Sequence, residues 1–419
     1  MYKQINSCRL CNNNELVSVL KLGEQTLTGV FPKNKTAKIT CGPLELVKCF
    51  NSNEPENCCG LVQLNHSYDS SEMYGENYGY RSGLNQSMVR HLKSIVDNLL
   101  KHVQPAADDI IIDIGGNDST LMRNYDNTLG LNLNVIDPTS NKFKKYYPSH
   151  INNIVDFFSA EVYNKHFSKK AKVITSIAMF YDLENPLKFV QDIYDSLDEN
   201  GIWVFEQSYM PFMLKTNSYD TVCHEHLEYY SLKQISWMFE RVGFEFVDVD
   251  FNDINGGSFR ITATKKGSNV KLMTEKVNGL INEENAKGFN DIAIFDDFND
   301  NVLKHKNELL ELIEKLKKSN KVVLGYGAST KGNVLLQYCG IDSSVLPYIA
   351  EVNPDKFGSF TPSTLIPIVS ETEAKSMNPD YFLVLPWHFR ENIIEREQAF
   401  LINGGKLIFP LPEIEIYSL

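Results

Sequence analysis

The sequence predicts an α/β chain in which two nucleotide-binding units follow a small cysteine-rich N-terminal domain. Three observations carry this expectation. Six of the eight cysteines fall within the first 59 residues. The apolar run Ile110–Ile114 stops at Gly115-Gly116, and a second run, Lys321–Leu324, stops at Gly325-Tyr-Gly327. Short apolar runs that end at glycine turns read as buried parallel strands. A chain of 419 residues with 42% hydrophobic content can bury two or three cores. The expected division is 1–70, 71–265 and 266–419.

Composition excludes several classes. The net charge is -12, and no dense Lys/Arg stretch with spaced aromatics interrupts it, so a nucleic-acid backbone would be repelled. The start Met1-Tyr-Lys-Gln-Ile-Asn-Ser-Cys8 lacks an apolar signal core, and no run approaches the roughly 18 apolar residues of a membrane span. A cytoplasmic monomer or homodimer is expected.

In the N-terminal domain, Cys8-Arg-Leu-Cys11 has the spacing of a metal-binding knuckle, and tetrahedral zinc then needs two more thiolates. Cys49 and Cys59 are the best candidates, with Cys58 able to replace Cys59 and Cys41 weaker. Four sulfur ligands would fill the coordination shell, so this zinc would be structural.

An amphipathic helix is expected around Gln86–Leu100, then strand Ile110–Ile114, the turn Gly115-Gly-Asn-Asp-Ser-Thr120, and the helix-like Leu121–Tyr125. The next strand, Leu133–Ile136, ends in Asp137, about 20 residues beyond the turn, as in folds whose acid holds two ribose hydroxyls. The turn lacks the third glycine that a pyrophosphate would require, which favours S-adenosylmethionine over a dinucleotide. Asp156, in Ile154–Phe158, could meet an adenine amino group. Strand Lys172–Ile177 delivers Ala178–Asp182 to the carboxyl edge where such sheets place ligand contacts. The candidate cofactor set is Gly115, Gly116, Asn117, Asp118, Asp137, Asp156, Phe157, Met179 and Tyr181. Helix Pro186–Leu197, turn Asp198–Gly201 and strand Ile202–Glu206 continue the alternation.

Beyond it, Tyr219–Tyr230 packs His224, Glu225 and His226 among apolar and aromatic residues, a proton-transfer group beside a cofactor unit. A zinc pair or buried core histidines are the competing readings. A helix with an apolar stripe spans Asp291–Lys318. The second unit follows: strand Lys321–Leu324, loop Gly325–Gly332, helix Asn333–Cys339, strand Leu346–Ala350 with Glu351, and strand Tyr381–Leu385 leading to Pro386-Trp-His-Phe-Arg390. Backbone amides at the helix start, with Lys331, could cradle a diphosphate. Its Gly-x-Gly start also admits an NAD-linked oxidoreductase.

Together, Cys8-Arg-Leu-Cys11, Cys59-Gly-Leu-Val-Gln-Leu64, Tyr78-Gly-Tyr-Arg-Ser82, the Gly115-Gly-Asn-Asp118 turn and Cys223-His-Glu-His226 resemble the sugar C-methyltransferases that act on nucleotide-linked 4-keto-6-deoxyhexoses. The likeness spans essentially the whole chain. It implies a class I methyltransferase Rossmann-like domain between a zinc-binding domain and a second Rossmann-like domain for the nucleotide-sugar, with S-adenosylmethionine and structural zinc bound. A base removes an acidic hydrogen beside the ketone, and the enolate carbon attacks the sulfonium methyl. Carbon 3 is favoured, although carbon 5 is equally acidic.

The resemblance carries the base onto His226, with Glu225 and His224 orienting it or binding sugar hydroxyls, and an oxyanion donor onto Tyr80, with Tyr78 as the alternative. Cys223 stands where many relatives have tyrosine, which opens the question of what holds the ketone oxygen. Gly116 and Ser119 stand where serine and glycine are common. The implied substrate set is Tyr78, Arg81, Gly327, Ser329, Thr330, Lys331, Asn333, Glu351, Lys356, Trp387, His388 and Arg390. O-methylation of a sugar or glycan is an alternative activity.

Overall fold

The computed structural model describes residues 1–51, 58–73, 81–289 and 291–419. Tyr78 and Tyr80 lie outside the described residues.

The chain opens with β1 (Tyr2–Gln4), β2 (Leu16–Thr26), β3 (Cys41–Cys49), β4 (Val62–Leu64) and β5 (His66–Tyr68). β1 pairs with β5, and β2, β3 and β4 form an antiparallel meander. Then come β6 (Ile110–Ile114), β7 (Asn132–Ile136), β8 (Ile151–Ile154), β9 (Ala171–Ile177), β10 (Leu197–Ser208), the short β11 (Glu228–Tyr229), β12 (Phe244–Asn252) and β13 (Ser258–Lys265). The central sheet has the order β12-β13-β10-β9-β6-β7-β8. Its strands are parallel apart from β13, which is antiparallel to both neighbours.

Strand order reverses at β6 and β9, which leaves a crevice at their carboxyl ends. All five residues of β6 are buried because helices cover both faces. Helix Gln86–Leu99 places Met88, Leu92, Ile95, Val96 and Leu99 on one face. They pack with Ile111 and Val135, while Ile110, Ile112 and Ile114 face a core with Phe180, Trp203 and Phe205.

The last unit holds β14 (Val323–Tyr326), β15 (Ile349–Glu351), β16 (Ile368–Ser370), β17 (Tyr381–Val384), β18 (Lys406–Phe409) and β19 (Glu415–Tyr417). Their order is β16-β15-β14-β17-β18-β19, with β19 antiparallel at the edge. This sheet reverses at β14 and β17, so the chain carries two switch-point crevices. Helix Ala293–Lys318 buries Phe295, Phe298, Val302, Leu309, Ile313 and Leu316 in one core with Val19, Leu22 and Leu44 of the N-terminal sheet and with the last sheet. Leu303, on the same helix, is exposed. Among the described residues, no helix is long and apolar enough to cross a membrane.

Two expectations are refined. Residues 198–201 fall inside β10 as a bulge: Leu197 pairs with Ala171 and Ile202 with Val173, so the four residues between them stand opposite Lys172 alone. Leu121–Tyr125 supplies one 3-10 turn, Met122–Asn124, rather than a helix. The segment after His226, for which no element is expected, forms β11 and pairs with β4, so it joins the N-terminal sheet.

Candidate active site and metal centre

The Sγ atoms of Cys8, Cys11, Cys49 and Cys59 lie within 4.8 Å of one another, with Cys8 and Cys59 at 3.5 Å and Cys11 and Cys49 at 3.4 Å. Tetrahedral coordination at about 2.3 Å per Zn–S bond needs this packing, so the residues fit zinc. Asn13 Nδ2 donates to Cys49 Sγ at 3.4 Å, a second-sphere support. Cys58 instead points at the Cys49 carbonyl, and Cys41 is exposed. The choice between Cys58 and Cys59 is therefore made by the chain's direction at the knuckle.

At the first crevice, Gly115, Asn117 and Ser119 have φ of +68, +52 and +63°. Ser119 thus bears a side chain in the left-handed region that glycine prefers. A Cβ on Gly116 would meet Asp113 Oδ2 at 2.7 Å, so the turn closes tightly on a buried carboxyl that burial pushes up to about 7. Asp137 ends β7 and accepts from the Asn117 amide at 2.8 Å and from the Thr139 amide at 2.6 Å. Met179 lies over Gly115, where a Cβ would approach its Cγ to 3.3 Å. Ser119 Oγ is buried without a well-placed partner among the described residues. A narrow, left-handed turn, a buried acid at the next strand end and an unmatched hydroxyl fit an adenosyl ligand that carries no phosphate.

Two members of the cofactor set are committed elsewhere. Asp118 accepts from the Gly83 amide at 3.1 Å and from Thr120 Oγ1 at 2.5 Å. Asn117 Oδ1 accepts from the Ser82 amide. Their side chains pin the 81–84 segment against the turn; the short hydrogen-bonding side chains that suggested a ligand find local amides first. Arg81 stacks on Tyr146 at 4.2 Å. Asp156 and Phe157 stand exposed beyond β8, Phe157 at 67%.

The His-Glu-His segment lies between the two crevices. His226 Nδ1 and the Thr221 carbonyl are 2.9 Å apart, and the Tyr181 and His226 rings are 4.3 Å apart. Burial, then Lys331, lowers the His226 imidazole to about 3. His224 is fully buried, edge-on to Tyr68 at 4.5 Å, and burial lowers it to about 3. Burial raises the carboxyl of Glu225 and the Cys223 thiol. Burial thus disfavours charge on all four, and Lys331, whose charge also lowers His226, is itself lowered by burial.

Lys331 is on the helix Thr330–Cys339, in the second crevice, and its Nζ donates to the Asn255 carbonyl at 2.5 Å. Asn333 Nδ2 donates to the Thr28 carbonyl at 2.7 Å. Polar atoms buried here without a well-placed partner among the described residues are Asp220 Oδ1, Thr221 Oγ1, His224 Nε2, Glu225 Oε2, Asn333 Oδ1 and His388 Nδ1. Buried polar atoms are costly to leave unmatched, so this cluster is a candidate ligand site. Trp387 Nε1 donates to Asp220 Oδ2 at 2.8 Å, and Gly256 approaches the Trp387 ring, 3.3 Å from an added Cβ.

Several of the substrate set are instead scaffolding. Ser329 caps its helix by accepting from the Gly332 amide. Glu351 accepts from the amides of Ala328, Val352 and Asn353, and Lys356 donates to the Ala328 carbonyl at 2.7 Å. Gly327 lies beneath Pro386, 2.6 Å from an added Cβ. Arg390 pairs with Glu415 through two nitrogens, at 3.0 and 2.6 Å, and so fastens β19. Arg390 is expected among the substrate contacts, but here the Glu415 carboxylate occupies its guanidinium.

The sequence reading missed Asp220, Thr221, Asn255 and the pair Thr28-Gly29. A Cβ on Gly29 would sit 2.1 Å from Glu225 Oε1, so the N-terminal domain forms one wall of the pocket. Asp220 carried a detectable signal, an acid inside an apolar run beside the histidines; Thr28-Gly29 carried none.

Comparison with known proteins gives three matches along the chain: a zinc binding domain at residues 8–74, a methyltransferase domain at 85–249 and a C-methyltransferase C-terminal domain at 253–412. The C-methyltransferase NovU of Streptomyces niveus is 27% identical over 99% of this chain and 98% of its own. Among solved structures, an S-adenosylmethionine-dependent methyltransferase from Clostridium acetobutylicum is 11% identical over 43% of this chain and 92% of its own, with a TM-score of 0.33. YcgJ of Bacillus subtilis is 11% identical over 43% of this chain and 100% of its own, with a TM-score of 0.32.

Proposed function

We propose, from the premise that this chain belongs to the S-adenosylmethionine-dependent C-methyltransferases, that it methylates carbon 3 of a nucleotide-linked 4-keto-6-deoxyhexose through an enolate. The observation that carries this reading is the fixed tautomer of His226. A carbonyl oxygen can only accept, so Nδ1 holds the proton toward Thr221 and Nε2 keeps its lone pair.

S-adenosylmethionine, held by the Gly115–Ser119 turn, Asp137 and Met179, supplies a methyl group on a positively charged sulfur. The remaining work falls to the chain. Lys331, beside the start of helix Thr330–Cys339, attracts a diphosphate, and Asn333, His388 and Trp387 flank it. His226 Nε2 takes the proton from the carbon beside the ketone. Burial holds the free imidazole at about 3, in the neutral form a base requires. The diphosphate's negative charge opposes the influence of Lys331 and strengthens that base as substrate enters. The developing oxyanion needs a donor; the carboxyl of Glu225, which burial shifts toward its protonated form, and the hydroxyl of Thr221 are the donors we assign to it. The dry walls keep the carbanion from water.

The test is incubation with methyl-labelled S-adenosylmethionine and a panel of nucleotide 4-keto-6-deoxysugars in heavy water. Methyl label on carbon 3 of the product is expected, with deuterium entering carbon 3 of the acceptor that has not yet been methylated, since the methylated carbon holds no hydrogen. Label on oxygen, or no exchange from protein that binds the cofactor, would overturn the reading.

A further inference from the structure

We infer that Arg9, between the knuckle cysteines Cys8 and Cys11, is a positioning residue for His226 and makes the metal centre part of the machinery that aims the base. This rests on His226 being the base as proposed above.

The Arg9 side chain is buried although it is the longest cation in a zinc knuckle, where a solvent-facing arginine would be unremarkable; its exposure is 3%. Its guanidinium turns inward. Nη1 donates to the Leu64 carbonyl at 2.6 Å, Nη2 to Ser67 Oγ at 2.9 Å and Nε to Glu184 Oε2 at 3.3 Å. The Arg9 amide donates to Gln63 Oε1 at 3.0 Å. Arg9 therefore fixes β4 from the side.

The same edge of β4 holds the segment that follows the base. The Leu64 amide donates to the Leu227 carbonyl at 2.9 Å, and the Leu227 amide donates to the Tyr181 carbonyl at 2.8 Å. Glu228 pairs in register with Gln63. One residue, Leu64, thus separates the guanidinium from the residue next to His226, and Tyr181 meets both the Leu227 amide and the His226 ring.

Glu228 is the second link. Its carboxyl is fully buried, and neither oxygen has a well-placed partner among the described residues. Arg9 Nε lies 4.0 Å from Oε1. Burial raises this carboxyl, opposed first by Arg9. A planar guanidinium can meet two backbone carbonyls, here of Leu64 and His66, a hydroxyl and a carboxylate from one fixed position, which a lysine cannot. That position exists only while both flanking cysteines are tethered. Loss of the metal would release Arg9, and with it the strand pair that sets where Nε2 points.

The test uses the full zinc-loaded chain with 15N-labelled histidine, the His226 imidazole signal being identified by its loss in His226→Asn. Arg9→Lys and the near-isosteric Glu228→Gln should keep their zinc, measured by atomic emission, and their S-adenosylmethionine affinity. Both should shift the His226 ring signal, and chelation of the metal from the unmodified chain should shift it in the same sense. On a 4-keto-sugar acceptor, kcat should fall about 10- to 100-fold, as for other outer-sphere supports of a metal site, with KM for the cofactor unchanged. Folded, zinc-loaded variants whose His226 signal and kcat both match the unmodified chain would overturn the inference. An unmodified chain that methylates no keto sugar would end the proposed function, while the His226 signal would still decide the coupling.

Discussion

His226 Nδ1 donates to the carbonyl of Thr221 across 2.9 Å, so a five-residue loop chooses the ring nitrogen that can act. The His226 amide also donates to the Cys223 carbonyl at 3.2 Å. The motif folds onto its own backbone, and the imidazole is held from two sides before any ligand arrives.

Replacing His226 with asparagine should lower methyl transfer by about 10²- to 10⁴-fold, the usual weight of a positioned base. Deuterium exchange beside the ketone should fall in parallel, with calorimetric affinity for S-adenosylmethionine unchanged. Transfer that survives with exchange intact would assign the base to another group.

The pH profile of kcat/KM should show no acid limb from this histidine near its ordinary value of about 6.5. The free imidazole lies at about 3, so the base stays unprotonated as pH falls through the neutral range. A descending limb near neutrality that disappears in a His226 variant would contradict a dry pocket.

His224 makes the fold acid-sensitive. Burial holds its folded value at about 3, below an unfolded value of about 6.5, so the unfolded chain binds the proton first as pH falls. Its contribution is intact above the unfolded value. Between the two values it is lost at about 1.4 kcal/mol per pH unit. Urea midpoints at about pH 7 and about pH 5 should therefore differ less in His224→Gln than in the unmodified chain. Equal differences would refute the assignment.

Cys59→Ser should release the metal and lower the unfolding midpoint, whereas Cys58→Ser should leave metal content unchanged. Structural zinc is bound with about 10–16 kcal/mol in small domains, so loss of one of four thiolates is felt as lost stability. Zinc retained by Cys59→Ser but lost by Cys58→Ser would reverse the assignment.

Asp137→Asn should weaken S-adenosylmethionine by about 1.5–3 kcal/mol, the weight of a charge-assisted hydrogen bond. The acceptor's KM should stay unchanged. Because Asp137 also accepts from the Asn117 amide, the asparagine form keeps one acceptor for the turn. Calorimetry that finds full affinity would remove this acid from the cofactor site.

The amino-acid sequence alone determined the local elements and their order. β6 matches the apolar run Ile110–Ile114 residue for residue, and β7, β9, β14 and β17 each lie within a residue or two of their runs, because strand burial on both faces leaves a contiguous apolar signature. The CxxC knuckle and His-Glu-His were legible for the same reason: their chemistry is written in neighbours.

Tertiary structure decided what those neighbours meet. It chose Cys59 over Cys58, gave Arg390 to Glu415 and Asp118 to the Gly83 amide. It also carried β11 into the N-terminal sheet and brought Thr28 to Asn333 across 305 positions. A hydrogen bond or ion pair depends on angstrom-scale approach of groups far apart in the chain, and no local periodicity records which distant partner will arrive.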